Sequence, residues 1–181
     1  MEKRYYGLIA IFLLVLSTRL FFAFQTSTFS PDAYGIIRQA EHIQHNFLPL
    51  FEDPLSYGGR TLIYPPLFSY ILGFFSLMFG ITIVGKILPN IFAASLVFVV
   101  YLIAEEITSN RRAAMLAAFI SGFIPIFFSR TLNDVSVYSL AIPIIFFVVY
   151  AFMKTSHEKR YLPWFIISLL ALRILHSSVF L

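Results

Sequence analysis

No cysteine occurs among the 181 residues, which removes disulfides and thiolate metal sites from consideration and leaves the redox compartment unmarked. Charge is scarce as well: Asp, Glu, Lys and Arg make up 12% of the chain, about half the share typical of soluble domains. Internal repeats and low-complexity linkers are also missing, so nothing divides the sequence into modules. What is present is apolar. Hydrophobic residues reach 59%, and the mean hydropathy is +0.84. That composition excludes a water-soluble globule and a disordered chain, and it points to an all-α, polytopic helical membrane protein. The formal net charge of +4 would elsewhere suggest nucleic acid. Here the basic residues cluster in short connections between apolar runs, where membrane topology puts them, and no nucleic-acid partner is expected.

About five spans are expected. Tyr5 to Phe24 is too long for the core of a cleaved signal peptide and reads as a first helix. Val84 to Ala104, Ala113 to Phe128, Val135 to Met153 and Tyr161 to Leu181 follow. Pro65 to Phe79 is shorter, and whether it crosses decides the side of every later loop. If it does not cross, seven basic residues are cytoplasmic (Lys3, Arg4, Arg111, Arg112, Lys154, Lys159, Arg160) and four are outside (Arg38, Arg60, Lys86, Arg130). The opposite assignment reverses that ratio, so the positive-inside rule favours an interfacial or re-entrant helix there. The expectation is a single membrane domain over 1–181 with a cytoplasmic N-terminus in the cell membrane. Residues 25–82 form a first outer loop, and Ser129 to Asp134 form a second outer loop on the same face.

Within the first loop, Ser30 is placed to cap and Pro31 to begin a helix. Ala33, Ile36, Ile37, Ala40 and Ile43 then fall at helical spacing, predicting an amphipathic juxtamembrane helix lying on the membrane surface. Its polar side would carry Arg38, Glu41, His42 and His45. The two histidines are three apart, a spacing compatible with a metal ligand pair, although the plainer reading is a pair of exposed surface histidines. Gly58 and Gly59 read as a turn, and Pro65 and Pro66 as a helix start. Arg19 is near enough to the end of its span to snorkel. Arg173 and His176 fall inside the last apolar run, where ionisable groups are costly, and are expected to face a protein interior.

Asp32 is the most pointed residue. A carboxylate at a low-dielectric boundary suits a general base toward a hydroxyl or amide, or a ligand for a hard divalent ion. The plainer reading is an acid in the first turn of a helix, where the dipole favours it. Arg130 suits a phosphate, or simply anchors a span at the interface. Glu52, Asp53 and Arg60 read as residues that fold the loop.

The runs S-P-D-A-Y-G-I-I-R-Q-A-E-H-I-Q (Ser30 to Gln44) and E-D-P-L-S-Y-G-G-R-T-L-I-Y-P-P-L-F (Glu52 to Phe68) resemble the first outer loop of the GT-C membrane glycosyltransferases. That superfamily includes protein O-mannosyltransferases, lipid A aminoarabinose transferases and oligosaccharyltransferase catalytic subunits. The resemblance implies transfer of a sugar from a polyprenyl (dolichyl) phosphate donor to a protein or lipid acceptor on the extracytoplasmic face. It implies catalytic roles for Asp32 and, in S-R-T-L-N-D (Ser129 to Asp134), for Asp134. Arg130, Tyr34, Arg60 and Arg38 become candidate substrate-binding residues, and Asp32 with Asp134 the candidate ligands of a divalent Mg or Mn ion. Two features depart from the oligosaccharyltransferase pattern. Three residues separate Arg130 from Asp134, and Val135 and Ser136 stand where a further acid or His often follows. Both favour the monophosphate-donor branch. Relatives of this kind continue through further spans, so the resemblance covers their amino-terminal portion. An oligosaccharyltransferase-like subunit and a non-catalytic membrane partner remain the alternatives.

Overall fold

The computed structural model describes residues 2–53, 59–61 and 65–175, and these are almost entirely helical. α1 (Glu2–Phe24) is the first span. α2 (Ala33–Asn46) and α3 (Leu67–Phe79) follow, separated by a two-residue antiparallel pair, β1 (Glu52–Asp53) and β2 (Arg60–Thr61). In that pair Glu52 faces Thr61 and Asp53 faces Arg60. α4 (Ile81–Ala94) and α5 (Leu96–Thr108) run on through Ser95 as one 28-residue apolar helix. α6 (Arg111–Gly122) and α7 (Pro125–Thr131) are two halves of a path bent by 44°. α8 (Tyr138–Thr155) and α9 (Leu162–Leu175) complete the described chain.

Among the described residues three helices are long and apolar enough to cross a membrane, and the bent pair makes a fourth candidate. The expected span at Ala113 to Phe128 is broken where Pro125 opens α7, because proline supplies no N–H to bond back to the preceding turn. α9 holds 14 described residues; the last stretch of the expected fifth span, with His176, lies outside the described residues.

Local chemistry sets the turns. Asn110 caps α6, its side chain accepting from Arg112 N at 3.0 Å and Ala113 N at 3.4 Å, while Ser109 before it takes the left-handed conformation (φ 50°) that closes α5. Gly80, at φ 76°, ends α3 and begins α4, a conformation that suits a residue without Cβ.

α1 ends, and α4 begins, at the same end of the bundle: Lys86 Nζ, on the second turn of α4, donates to Ala23 O at 2.5 Å. The chain between them therefore leaves from and returns to one end. α2 and α3 stack as a hairpin there, tied by Tyr70 Oη to Phe47 O (2.9 Å) and Ser76 Oγ to Gln44 Oε1 (3.1 Å). Gly73 sits so close to α2 that a Cβ would stand 3.0 Å from Ala40 O.

α2 has the amphipathic pattern read from the sequence: Ala33, Ile37, Ala40 and Ile43 are buried and Ile36 partly so. Its apolar face meets Phe68, Leu72 and Val84 of α3 and α4, and not lipid as the surface-helix expectation had it. α3 also has a large apolar outer face, exposing Phe74, Phe75, Leu77, Met78 and Phe79 while burying Ser69, Gly73 and Ser76 beside Phe68 and Leu72. A second core, built from Leu8, Val15, Val97, Tyr101, Ala114 and Ala118, joins α1, α5 and α6. At the far end, Lys154 bridges to Glu106 at 2.8 Å.

Candidate functional site

The site is built where the two candidate acid-bearing loops meet. Ser30 N donates to Asn133 O at 3.0 Å, and Ser30 Oγ donates to the Asp134 carboxylate. A third tie, Asn133 Nδ2 to Thr26 Oγ1 at 3.1 Å, lies beside them. Residues more than one hundred apart in sequence are thus in direct contact. Ser30 was expected to cap α2; its hydroxyl is used across the loops instead. The helix starts at Ala33, with Asp32 in the N-cap position and making no side-chain cap bond. Asp32 is exposed, two residues from the Ser30 contact, and Asp134 is partly buried. The carbonyl oxygen of the Asn133 side chain is buried without a hydrogen-bond partner among the described residues.

Immediately after Asp134, Val135 takes φ 46° although it is β-branched and buried. Such a residue in the left-handed region stores about 1–3 kcal/mol of strain and persists only where its surroundings over-determine the backbone.

The other expected residues are distributed unevenly. Tyr34 is exposed and stands edge-on to Phe29 with centroids 6.3 Å apart, next to Asp32. Arg130 is exposed in the last turn of α7, four residues before Asp134. Arg38 is not free: it forms an ion pair with Asp53, fastening α2 to β1. Arg60 lies on β2 opposite Asp53, and its side chain is outside the described residues. His42 and His45 sit with Arg38, Glu41 and Gln44 along an open polar cavity of about 520 Å³ that follows the second half of α2, away from Asp32. Among the described residues no three His, Asp or Glu side chains come together as a metal-binding group.

Three basic residues differ from expectation. Arg19 does not snorkel. It is fully buried, with Nε donating to Asn90 Oδ1 at 2.9 Å, Nη2 donating to Thr131 Oγ1, and its guanidinium 4.7 Å above the Phe128 ring. Neighbouring polar side chains offer it what water would, so the long detour to the interface is unnecessary. Lys86 belongs to no loop; it is buried within α4 and reaches the end of α1. Arg173 is exposed on α9, because Ser168, Leu172 and Leu175 define the buried side of that helix and position 173 falls off it. Asn90 and Thr131 escaped the sequence reading. The available signal was a lysine and an asparagine four residues apart inside an otherwise apolar span, where polar groups are expensive.

Residues 64–174 match the family model described as dolichyl-phosphate-mannose-protein mannosyltransferase, a stretch that includes Lys86, Asn90, Arg130 and Asp134 and leaves Asp32 outside. The chain is also 30% identical over 134 residues to dolichyl-phosphooligosaccharide-protein glycotransferase 1 of Archaeoglobus fulgidus. That match takes in 71% of the chain and spans 23% of the relative's length. The residues matched, together with the apolar helices, show a membrane glycosyltransferase relative of GT-C type: the chain belongs to the dolichyl-phosphate-mannose-protein mannosyltransferase family.

Proposed function

We propose that this chain forms the amino-terminal part of a membrane enzyme that moves a sugar from a dolichyl (polyprenyl) phosphate to a protein or lipid hydroxyl on the extracytoplasmic face, with the N-terminus in the cytoplasm. The observation that carries this reading is the contact of Ser30 with Asp134, because it puts the Asp32 loop and the Asp134 loop on one wall. Asp32, exposed at that wall, is the general base: it accepts the acceptor's hydroxyl proton as the oxygen attacks the anomeric carbon. The bond from that carbon to the phosphate oxygen breaks, and the lipid phosphate leaves as an anion. Arg130, exposed four residues from Asp134, pairs with that anion by charge-assisted hydrogen bonds. Tyr34 offers a ring face beside Asp32. Asp134, held by Ser30, supplies a fixed negative charge toward the developing oxocarbenium character of the sugar.

An apolar groove of about 530 Å³ between α5, α6 and α8 includes Phe127, one turn before Arg130. It suits the isoprenoid tail of a donor whose phosphate sits at Arg130. A Mg or Mn ion would take its protein ligands from Asp32 and Asp134 and, when bound, would offset negative charge on the donor phosphate. The described residues add no third ligand.

The Archaeoglobus fulgidus relative supports a second reading, in which the donor is a lipid-linked oligosaccharide and the acceptor a protein amide. Full-length protein in membranes, supplied with dolichyl phosphate mannose and with a dolichyl pyrophosphate oligosaccharide in separate assays, distinguishes the two. Transfer from the monophosphate that is lost in Asp32→Asn is the expected result. Undiminished transfer by that variant overturns the assignment of the base, and no transfer from either donor leaves the non-catalytic partner.

A further inference from the structure

α4 begins with a polar stripe that the proposed chemistry does not use. Lys86 and Asn90 are one turn apart on one face, 3% and 0% exposed. Lys86 Nζ donates to Ala23 O at 2.5 Å and also to Thr26 O. Ala23 is in the last turn of α1, where helical bonding leaves acceptors unpaired and a cation is favoured, and Thr26 lies in the loop just beyond it. Six residues after Thr26 comes Asp32. Asn90 Nδ2 donates to Lys86 O at 2.7 Å and to Leu132 O at 3.1 Å, two residues before Asp134. Its Oδ1 receives Arg19, whose other arm holds Thr131. Each acid-bearing loop is therefore gripped by one side chain of the same helical turn.

Gly85 completes the seat. A Cβ there would stand 3.2 Å from the Phe29 ring and 3.6 Å from Val135, so both loops rest on α4 at this one position. Among the described residues no carboxylate neutralises Lys86 or Arg19. Buried cations without counter-ions are a poor way to stabilise a bundle, since apolar side chains of the same size would avoid the desolvation. Their value here is directional: they point donors at chosen carbonyls and hydroxyls. The left-handed Val135 beside Asp134 is the kind of backbone that requires such external fixing.

We infer that Lys86 and Asn90 are positioning residues that hold the Asp32 loop and the Asp134 loop in catalytic register. This rests on the proposed transfer reaction, and the experiment separates the two. In full-length protein, Thr26→Cys and Asn133→Cys place thiols at an existing interloop contact and leave both aspartates in place. The readouts are oxidative cross-linking at that pair and, in the same membranes, transfer from dolichyl phosphate mannose. Lys86→Met and the isosteric Asn90→Asp, which keeps the acceptor for Arg19 and loses the donor to Leu132, should each lower cross-linking about fivefold or more. Lys86→Arg should restore it. In the same variants kcat should fall about tenfold to a hundredfold with donor KM nearly constant, as displaced catalytic groups require. Asp32→Asn should abolish transfer and leave cross-linking intact; if it keeps transfer, the catalytic reading fails while the cross-link still judges the clamp. Cross-linking equal to the parent in Lys86→Met and Asn90→Asp, or a loss that Lys86→Arg does not reverse, overturns the inference.

Discussion

Arg19 Nε donates to Asn90 Oδ1 at 2.9 Å, and the partners described around this buried guanidinium are all neutral. The fork geometry matters, since one arm meets Asn90 on α4 and the other Thr131 on α7. Lysine has one ammonium and no planar face to lay over Phe128. Arg19→Lys should therefore leave one of the two polar partners unsatisfied and destabilise the protein by about 1–3 kcal/mol. Thermal unfolding in detergent measures this, and an unchanged midpoint would show the fork to be dispensable.

Ser30→Ala removes the hydroxyl that holds the Asp134 carboxylate. The backbone bond from Ser30 N to Asn133 O survives, so the loops should stay together while the carboxylate gains freedom. One net hydrogen bond is worth about 1 kcal/mol, which corresponds to a loss of roughly fivefold in turnover. A fall comparable to that of Asp134→Asn would instead mean that the serine itself contacts substrate.

Arg38 was a candidate for binding substrate, yet it is engaged by Asp53. Partly exposed pairs of this kind contribute about 0–1 kcal/mol. Charge reversal decides the role. If the pair only fastens α2 to the strand pair, Arg38→Asp combined with Asp53→Arg should recover the activity that either single reversal loses. Failure of the double variant to recover would return Arg38 to the substrate.

Gly122 is where α6 touches α1 and α5: a Cβ would stand 2.3 Å from Val15 Cγ2 and 3.2 Å from Val97 Cγ2. Small residues at such a crossing let backbones approach within a membrane. Gly122→Val should force the helices apart, costing about 1–3 kcal/mol. A lowered unfolding temperature checks it, and Val15→Ala in the same protein should give part of that loss back.

Much of this was legible in the sequence because hydropathy and helical spacing are local properties. The positions Ala33, Ile37, Ala40 and Ile43 read as one face and are buried as one face. What covers that face was not legible, since it depends on Phe68, Leu72 and Val84 arriving from later helices. The same limit applies at the site. Asp32 and Asp134 each stand out against their neighbours, but the serine joining their loops is an ordinary residue until the two meet. Arg19 looked like an interfacial anchor because sequence shows depth along a helix and hides what stands opposite. The kink before α7 could have been read from Pro125; the run Ala113 to Phe128 was apolar enough to hide it.

The apolar outer face of α3 has a mechanical consequence. Gly73 and Ser76 meet α2, while Phe74, Phe75, Leu77, Met78 and Phe79 form the far side of α3. Moving a large apolar side chain fully into water costs about 1.5–3 kcal/mol, so five together resist by several kcal/mol any movement that would wet them. α3 thus works as a keel. If α3 lies at the membrane interface as its sequence predicts, the hairpin should slide or tilt along that boundary without lifting away, and the depth of those rings should set the height of the Asp32 loop.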